Sequence, residues 1–131
     1  MQKLEVIFSD TNILVVDDYY VNQELTKDML ELLGCTVDIA SNGLEAIEMY
    51  KKNKYALIFM DIQMPEMDGF AATKIIRASE ENFHIPIIAI TAGALAEDRA
   101  KCLNVGMDDY ISKPIKGENL KTVLEKFVKQ K

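Results

Sequence analysis

Apolar and polar positions follow one another along this chain in two rhythms, and each change of rhythm marks an element. Asn12 to Val16 is apolar after its asparagine and ends against Asp17 and Asp18. Tyr55 to Met60 is apolar throughout and stops at Asp61; Pro86 to Ile90 is apolar throughout and stops at Thr91. Runs of strand length without alternation suit strands covered on both faces, as in the middle of a parallel sheet. Thr36 to Ala40 alternates, which places it nearer a sheet edge. Asp109 to Ile111 reads as a short last strand running into Ser112, Lys113 and Pro114.

Between these runs the spacing changes to threes and fours. Leu25, Met29, Leu32 and Leu33 predict a helix over Val21 to Leu33, closed by Gly34 as a left-handed cap. After a turn at Ser41, Asn42 and Gly43, a second helix carries Leu44, Ile47 and Tyr50. Ala72, Ile75 and Ile76 line a third, and a more polar fourth runs from Leu95 to Leu103 and stops near Gly106. Leu120, Val123, Leu124, Phe127 and Val128 form one stripe of a fifth, over Asn119 to Val128. The stretch Leu4 to Phe8 reads equally as a short strand, a helix start or the tail of an upstream linker. Residues 1–10 are therefore taken as an N-terminal extension or linker and residues 11–131 as one domain.

Repeated strand–helix alternation predicts an α/β fold: a five-stranded parallel doubly wound sheet, order 2-1-3-4-5, a flavodoxin-like (βα)5 arrangement. Asp61 alone reads equally as a turn cap. In that strand order, however, the ends at Asp17–Asp18 and at Asp61 are neighbours at the switch point, and those at Thr91 and Lys113 extend the same edge. Three carboxylates, a hydroxyl and an ammonium should meet in one crevice.

Composition narrows the function classes. The chain has 131 residues, 49% hydrophobic and 27% charged, enough for one core without disulfide staples. No apolar run approaches the ~18 residues that cross a bilayer, so direct membrane insertion is not expected. Met1 opens a polar stretch, unlike a signal peptide. Cys35 and Cys102 lack metal-ligand spacing and read as buried or incidental thiols, which fits a reducing cytoplasm. The net charge of −6 argues against nucleic acid as a partner. His84 sits in a polar loop and reads as solvated rather than as a phosphocarrier. Met60, Met64 and Met67 read as packing, and Glu97, Asp98, Arg99 and Lys101 as a solvated helix face.

Crowded carboxylates repel: at ~4 Å and an effective dielectric near 20, each pair costs about 4 kcal/mol, so the crevice calls for a counter-cation or raised pKa values. Mg2+ suits it, a hard ion content with one or two carboxylates and with room left for phosphate oxygens. Lys113 adds a fixed positive charge suited to a phosphate. A carboxylate so placed can attack phosphorus and become an aspartyl phosphate, with Thr91 and Lys113 as donors to the new oxygens.

The motifs Ile13 to Asp18, Met60 to Gly69, Ile88 to Ala92 and Asp109 to Pro114, in this order and spacing, resemble the receiver (response-regulator) domains of two-component phosphorelays over roughly residues 11–130. Asn42 to Ala46, Gln63 to Gly69 and Gly106 to Tyr110 are most similar to receivers of hybrid sensor histidine kinases. The resemblance implies a signalling switch rather than a turnover enzyme, with phosphoryl acceptance and hydrolysis autocatalysed. Asp61 would be the phosphoacceptor. Asp18, Asp61 and the backbone carbonyl of Gln63 would bind Mg2+, with Asp17 helping through water. Lys113 would pair with Asp61 and then with the phosphoryl group. Thr91 would turn inward to the phosphoryl oxygen, Tyr110 would follow, and the surface of helix 4, strand 5 and helix 5 would change. Lys113–Pro114 would be a cis peptide.

The implied partners are a histidine kinase core and a histidine phosphotransfer domain, docking near Val21, Asn22, Leu25 and the Pro114 loop. The chain itself would be a monomer or weak dimer, cytoplasmic or tethered to a membrane-bound sensor kinase. It reads as a stand-alone receiver or a fragment of a larger kinase, and the wording favours the fragment. Tyr19 stands where hybrid-type receivers often carry a polar residue; with Tyr20 it could shield the site, meet a partner or pack on the first helix. Gln63 and Gly93 occupy places that influence dephosphorylation in the family, and Gly93 offers no side chain to orient water.

Three rivals compete. A phosphatase of the haloacid-dehalogenase type would need a second Asp where Gln63 stands. A flavodoxin would need a Ser/Thr/Gly-rich phosphate loop after the first strand. A degenerate receiver would lack an acidic residue or the lysine, and none is missing.

Overall fold

The apolar runs become parallel strands, and the three-and-four spacing becomes the helices that link them. A computed structural model of the chain describes residues 8–62, 64, 68–80, 83–92 and 96–128, without the side chains of 96–98. The order is β1 (Asn12–Val16), α1 (Tyr20–Leu32), β2 (Thr36–Ala40), α2 (Gly43–Lys52), β3 (Leu57–Asp61), α3 (Gly69–Ser79), β4 (Ile87–Thr91), α4 (Ala96–Asn104), β5 (Asp109–Ser112) and α5 (Gly117–Phe127). All pairings are parallel, in the order β2-β1-β3-β4-β5, as expected. Every residue of β3 and β4 is buried, whereas β2 alternates at the edge. Gln63, Pro65, Gly93 and Leu95 lie outside the described residues.

Strand side chains alternate between faces, so the sheet divides its apolar residues between two cores. Leu14, Val16, Ile58, Met60, Ile87 and Ala89 face α2, α3 and α4, meeting Ala46, Ile47, Ala72, Ile76 and Cys102. Ile13, Val15, Leu57, Phe59, Ile88 and Ile90 face α1 and α5, meeting Leu30, Leu120, Val123 and Leu124. Phe8 is fully buried in the second core, its N–H donating to Leu33 O at 2.9 Å, so the packed interior reaches back before residue 11. Cys35 and Cys102 are both buried free thiols, and burial pushes Cys35 up to about 11.

The helix ends follow their local chemistry. Gly34 (φ 100°) and Gly106 (φ 102°) take the left-handed conformation that ends α1 and α4. Asn42 caps α2 by accepting from Glu45 N at 2.8 Å, while Glu45 Oε1 accepts from Ser41 N at 2.9 Å. The apolar spacing of α1 marked its buried face only in part: Met29 and Leu33 pack against the core. Leu25 and Leu32 are 53% and 59% exposed, and the inward residues are Gln23, Thr26 and Leu30. Leu44 and Ile75 are likewise exposed.

Arg77 of α3 joins the chain segments at the end of the sheet away from the strand C-termini. Its Nε donates to Gly106 O (2.8 Å), Nη1 to Ile85 O (2.7 Å) and Nη2 to Asp108 Oδ2 (2.7 Å), and Glu80 pairs with Nη1. Asp108 Oδ2 also accepts from Ile87 N at 2.8 Å. His84 is mostly exposed, yet its Nε2 lies 2.8 Å from Asp108 Oδ1, so it is a member of this network and not a free loop residue. Removing one partner of a largely buried ion pair strands the others. Arg77→Met should therefore lower the unfolding free energy by about 3 kcal/mol in urea denaturation, whereas His84→Ala, at the exposed rim, should cost less than about 1 kcal/mol.

Candidate functional site

The carboxyl ends of β1, β3, β4 and β5 deliver their polar residues to one edge because the register aligns them. Val16 pairs with Met60, Asp61 with Ile90, and Thr91 with Ser112, so the residues that follow or end these strands stand side by side. Lys113 N donates to Thr91 O at 2.8 Å, which fixes the start of the Lys113–Pro114 segment against β4; that peptide is cis. Lys113 Nζ lies 3.5 Å from Asp61 Oδ2. Asp17, Asp18 and Asp61 each offer an oxygen within 4.8 Å of the others'. Asp17 and Asp61 are only 1% and 2% exposed and Thr91 is buried beside them, while Asp18 is open to solvent.

Each hydrogen-bonding group of Asp17 has an assignment but one. Its N–H donates to Ala40 O (3.1 Å) and its carbonyl accepts from Gln23 Nε2 (2.6 Å). Oδ1 accepts from Tyr19 N at 2.9 Å, an Asx turn. Oδ2 is buried and without a hydrogen-bond partner. Desolvation raises the Asp17 pKa, and the Asp18 charge adds to the rise; the Tyr19 N–H, the Lys113 charge and the Asn22 side chain oppose it. This is a pocket short of positive charge. Hard oxygens gathered at this spacing, one of them unsatisfied, fit a small divalent cation such as Mg2+.

Tyr110 of β5 is half-buried against the α2–α3–α4 core, with the Arg99 guanidinium 5.2 Å from its ring centroid. Arg99 thus has a specific neighbour beyond the solvated face expected of it. Tyr19 and Tyr20 stand exposed at the start of α1 beside the acidic turn, with Val21 and Leu25 exposed on the same helix. Gln23 was missed by reading motifs. The signal was present: it shares spacing with Thr26 and Leu30, the true inward face.

A family profile described as the response regulator receiver domain matches residues 13–125. Hybrid signal transduction histidine kinase L of Dictyostelium discoideum is 43% identical over 123 residues, covering 89% of this chain and 7% of that protein. The osmosensing histidine protein kinase SLN1 of Saccharomyces cerevisiae is 42% identical, covering 91% of this chain and 10% of that protein. The chain thus spans about a tenth or less of these relatives' length. Among solved structures, the receiver domain of a Pseudomonas aeruginosa sensor histidine kinase, with a magnesium ion coordinated in its active-site cleft, is 41% identical with a TM-score of 0.83, covering 89% of this chain and 96% of that one. A Saccharomyces cerevisiae complex of the histidine phosphotransfer protein Ypd1 with the receiver domain of Ssk1 matches at 30% identity and TM-score 0.83, covering 92% of this chain and 90% of that one.

The backbone under Asp61 is held by a close approach that only glycine allows. Asp68 caps α3 by accepting from Ala71 N at 2.9 Å, and a Cβ on the next residue, Gly69, would stand 2.4 Å from Asp61 O and 2.9 Å from Ile62 Cα. Gly69→Ala is expected to lower stability by roughly 2–3 kcal/mol in urea unfolding. Gly117→Ala, whose Cβ would meet only Met29 Sδ at 3.7 Å, should cost nothing measurable.

Proposed function

This chain belongs to the response regulator receiver domain family, and from that premise we propose that it is a phosphoacceptor switch with Asp61 as the acceptor. Residues 11–131 form the receiver unit in this reading, with residues 1–10 as the extension leading into it, of which Phe8 is already packed in the core. The observation that carries it is the nearly complete burial of Asp61 among Asp17, Asp18, Thr91 and Lys113 at the switch point. An Asp61 oxygen attacks the phosphorus of a phosphohistidine; the P–N bond breaks, the imidazole leaves and takes a proton, and an aspartyl phosphate remains. Asp18, Asp61 and the backbone carbonyl of Gln63 would hold Mg2+, with Asp17 helping through water, and the ion would supply charge neutralisation for the phosphoryl oxygens. Lys113 moves its charge from the carboxylate to the phosphoryl group, and the Thr91 hydroxyl donates to a phosphoryl oxygen.

These bonds exist only in the phosphorylated state, so they bias a two-state equilibrium. Tyr110 turns into the space Thr91 vacates, and the surface of α4, β5 and α5 changes with it. The chain acts as a switch rather than as a turnover enzyme, its acceptance and hydrolysis being autocatalysed. Its partners are a histidine kinase core and a histidine phosphotransfer domain. Support comes from the exposed Tyr19, Tyr20, Val21, Leu25 and Pro114 around the site and from the phosphotransfer complex of its structural relative. No described helix is long and apolar enough to cross a membrane; a cytoplasmic position, free or tethered to a sensor kinase, and a monomer or weak dimer complete the proposal.

Incubation with acetyl phosphate and Mg2+, read by intact mass, should give one phosphoryl adduct on the wild type and none on Asp61→Asn; an adduct on both removes Asp61 as the acceptor. Thr91→Ala should still take up phosphate but lose a charge-assisted hydrogen bond of roughly 1.5–3 kcal/mol, tenfold or more in the switch equilibrium. The Tyr110 resonances would then stay near their unphosphorylated positions. A full phosphate-dependent shift in Thr91→Ala would rule out this coupling.

A further inference from the structure

Gln23 is an amide on the inner face of α1, where an apolar residue is the default. Its burial is tolerable because both amide hydrogens are used. One goes to Asp17 O at 2.6 Å and the other to Ser41 Oγ at 3.2 Å. The bonds close a ring: Asp17 N donates to Ala40 O, Ser41 follows Ala40, and Gln23 returns from Ser41 to Asp17. Ser41 is itself anchored, its N–H donating to Glu45 Oε1 at the start of α2. The Gln23 backbone N–H donates to Tyr19 O at 3.0 Å, and the Tyr19 N–H holds Asp17 Oδ1. The acidic turn is therefore gripped from both ends by one residue, with Oδ2 of Asp17 left over.

We propose that Gln23 is a positioning residue of the metal pocket: by clamping the Asp17 carbonyl to α1 and to the β2–α2 turn, it holds the Asp17–Asp18 turn in the geometry that binds a divalent cation. This rests on the reading of Asp17, Asp18 and Asp61 as a magnesium site. The residue type follows from the geometry. A side chain there must reach back six positions to a carbonyl and donate twice. Glu has no donor when ionised, Met has the length without the polarity, and Asn is one carbon short.

The test uses the full chain with MgCl2 as the probe, comparing the wild type, Gln23→Met, Gln23→Glu and Leu30→Ala. Leu30 is buried on the same face of α1 seven residues further along, in the core shared with α5, so it reports the effect of loosening the helix alone. Losing the clamp should weaken Mg2+ binding roughly three- to tenfold in Gln23→Met and further in Gln23→Glu, by NMR titration. In the metal-free protein, amide exchange of Tyr19 should speed up in both. Leu30→Ala should lower overall stability while keeping the wild-type Mg2+ affinity. Wild-type affinity and Tyr19 exchange in Gln23→Met would overturn the proposal, as would equal weakening in Leu30→Ala. A wild type with no Mg2+ response at Asp17, Asp18 and Asp61 would overturn the metal-site reading and this proposal together; a responsive wild type with an unaltered Gln23→Met overturns the proposal alone.

Discussion

Negative charge kept out of water at the carboxyl edge of the sheet is the constraint on which the rest of this structure depends. Asp17 and Asp61 end neighbouring strands and are almost fully buried. Lys113 pairs with Asp61, and the desolvation of Asp17 and the charge of Asp18 beside it are opposed by the Tyr19 N–H, the Lys113 ammonium and the Asn22 side chain, yet the Asp17 pKa stays raised. The uncompensated remainder at Asp17 is what the proposed function uses, a pocket that would receive first a cation and then, through it, an anion. A site fully satisfied by its own side chains would have no reason to take up a cation, so in the proposed function the unpartnered Asp17 Oδ2 is a working part of the pocket.

Meeting that constraint needs rigid strand ends, and their rigidity was legible in the sequence. The apolar runs before Asp17, Asp61 and Thr91 suit central strands of a covered sheet, and parallel pairing in order 2-1-3-4-5 brings their ends together. The surface of α1 was not legible in the same way. A helix that carries Leu25, Leu32 and Val21 on one side and Gln23, Thr26 and Leu30 on the other offers two stripes. Hydropathy alone selects the leucines. The structure selects the other stripe because Gln23 finds partners for both amide hydrogens, so its burial ceases to be a penalty. His84 is solvated, as its polar loop suggests, but its Nε2 also meets Asp108, a contact 24 positions away that no local pattern shows.

The two faces of α1 give the helix a double role. Its inner face is bonded to the backbone of Asp17, and its outer face presents Val21, Leu25 and Leu32 to solvent, with Tyr19 and Tyr20 at the mouth of the pocket. An exposed apolar surface of this kind is affordable on a small domain when something covers it during function. In the proposed function, a phosphodonor domain seated there would approach Asp61 over the Asp17–Asp18 turn.

Covering that mouth would also change the energetics of the pocket without moving any ligand. Asp18 is the exposed member of the acidic cluster, and its interactions are weakened by the water around it. A partner that displaces this water strengthens attraction and repulsion alike, so an acidic pocket without its cation becomes less tolerable while one with its cation becomes tighter. Docking and metal binding should then favour one another, each raising the other's affinity by the same factor. The route for that coupling is short: Tyr19 lies between the exposed start of α1 and Asp17 Oδ1, so any partner contact that orders Tyr19 also orders the carboxylate behind it.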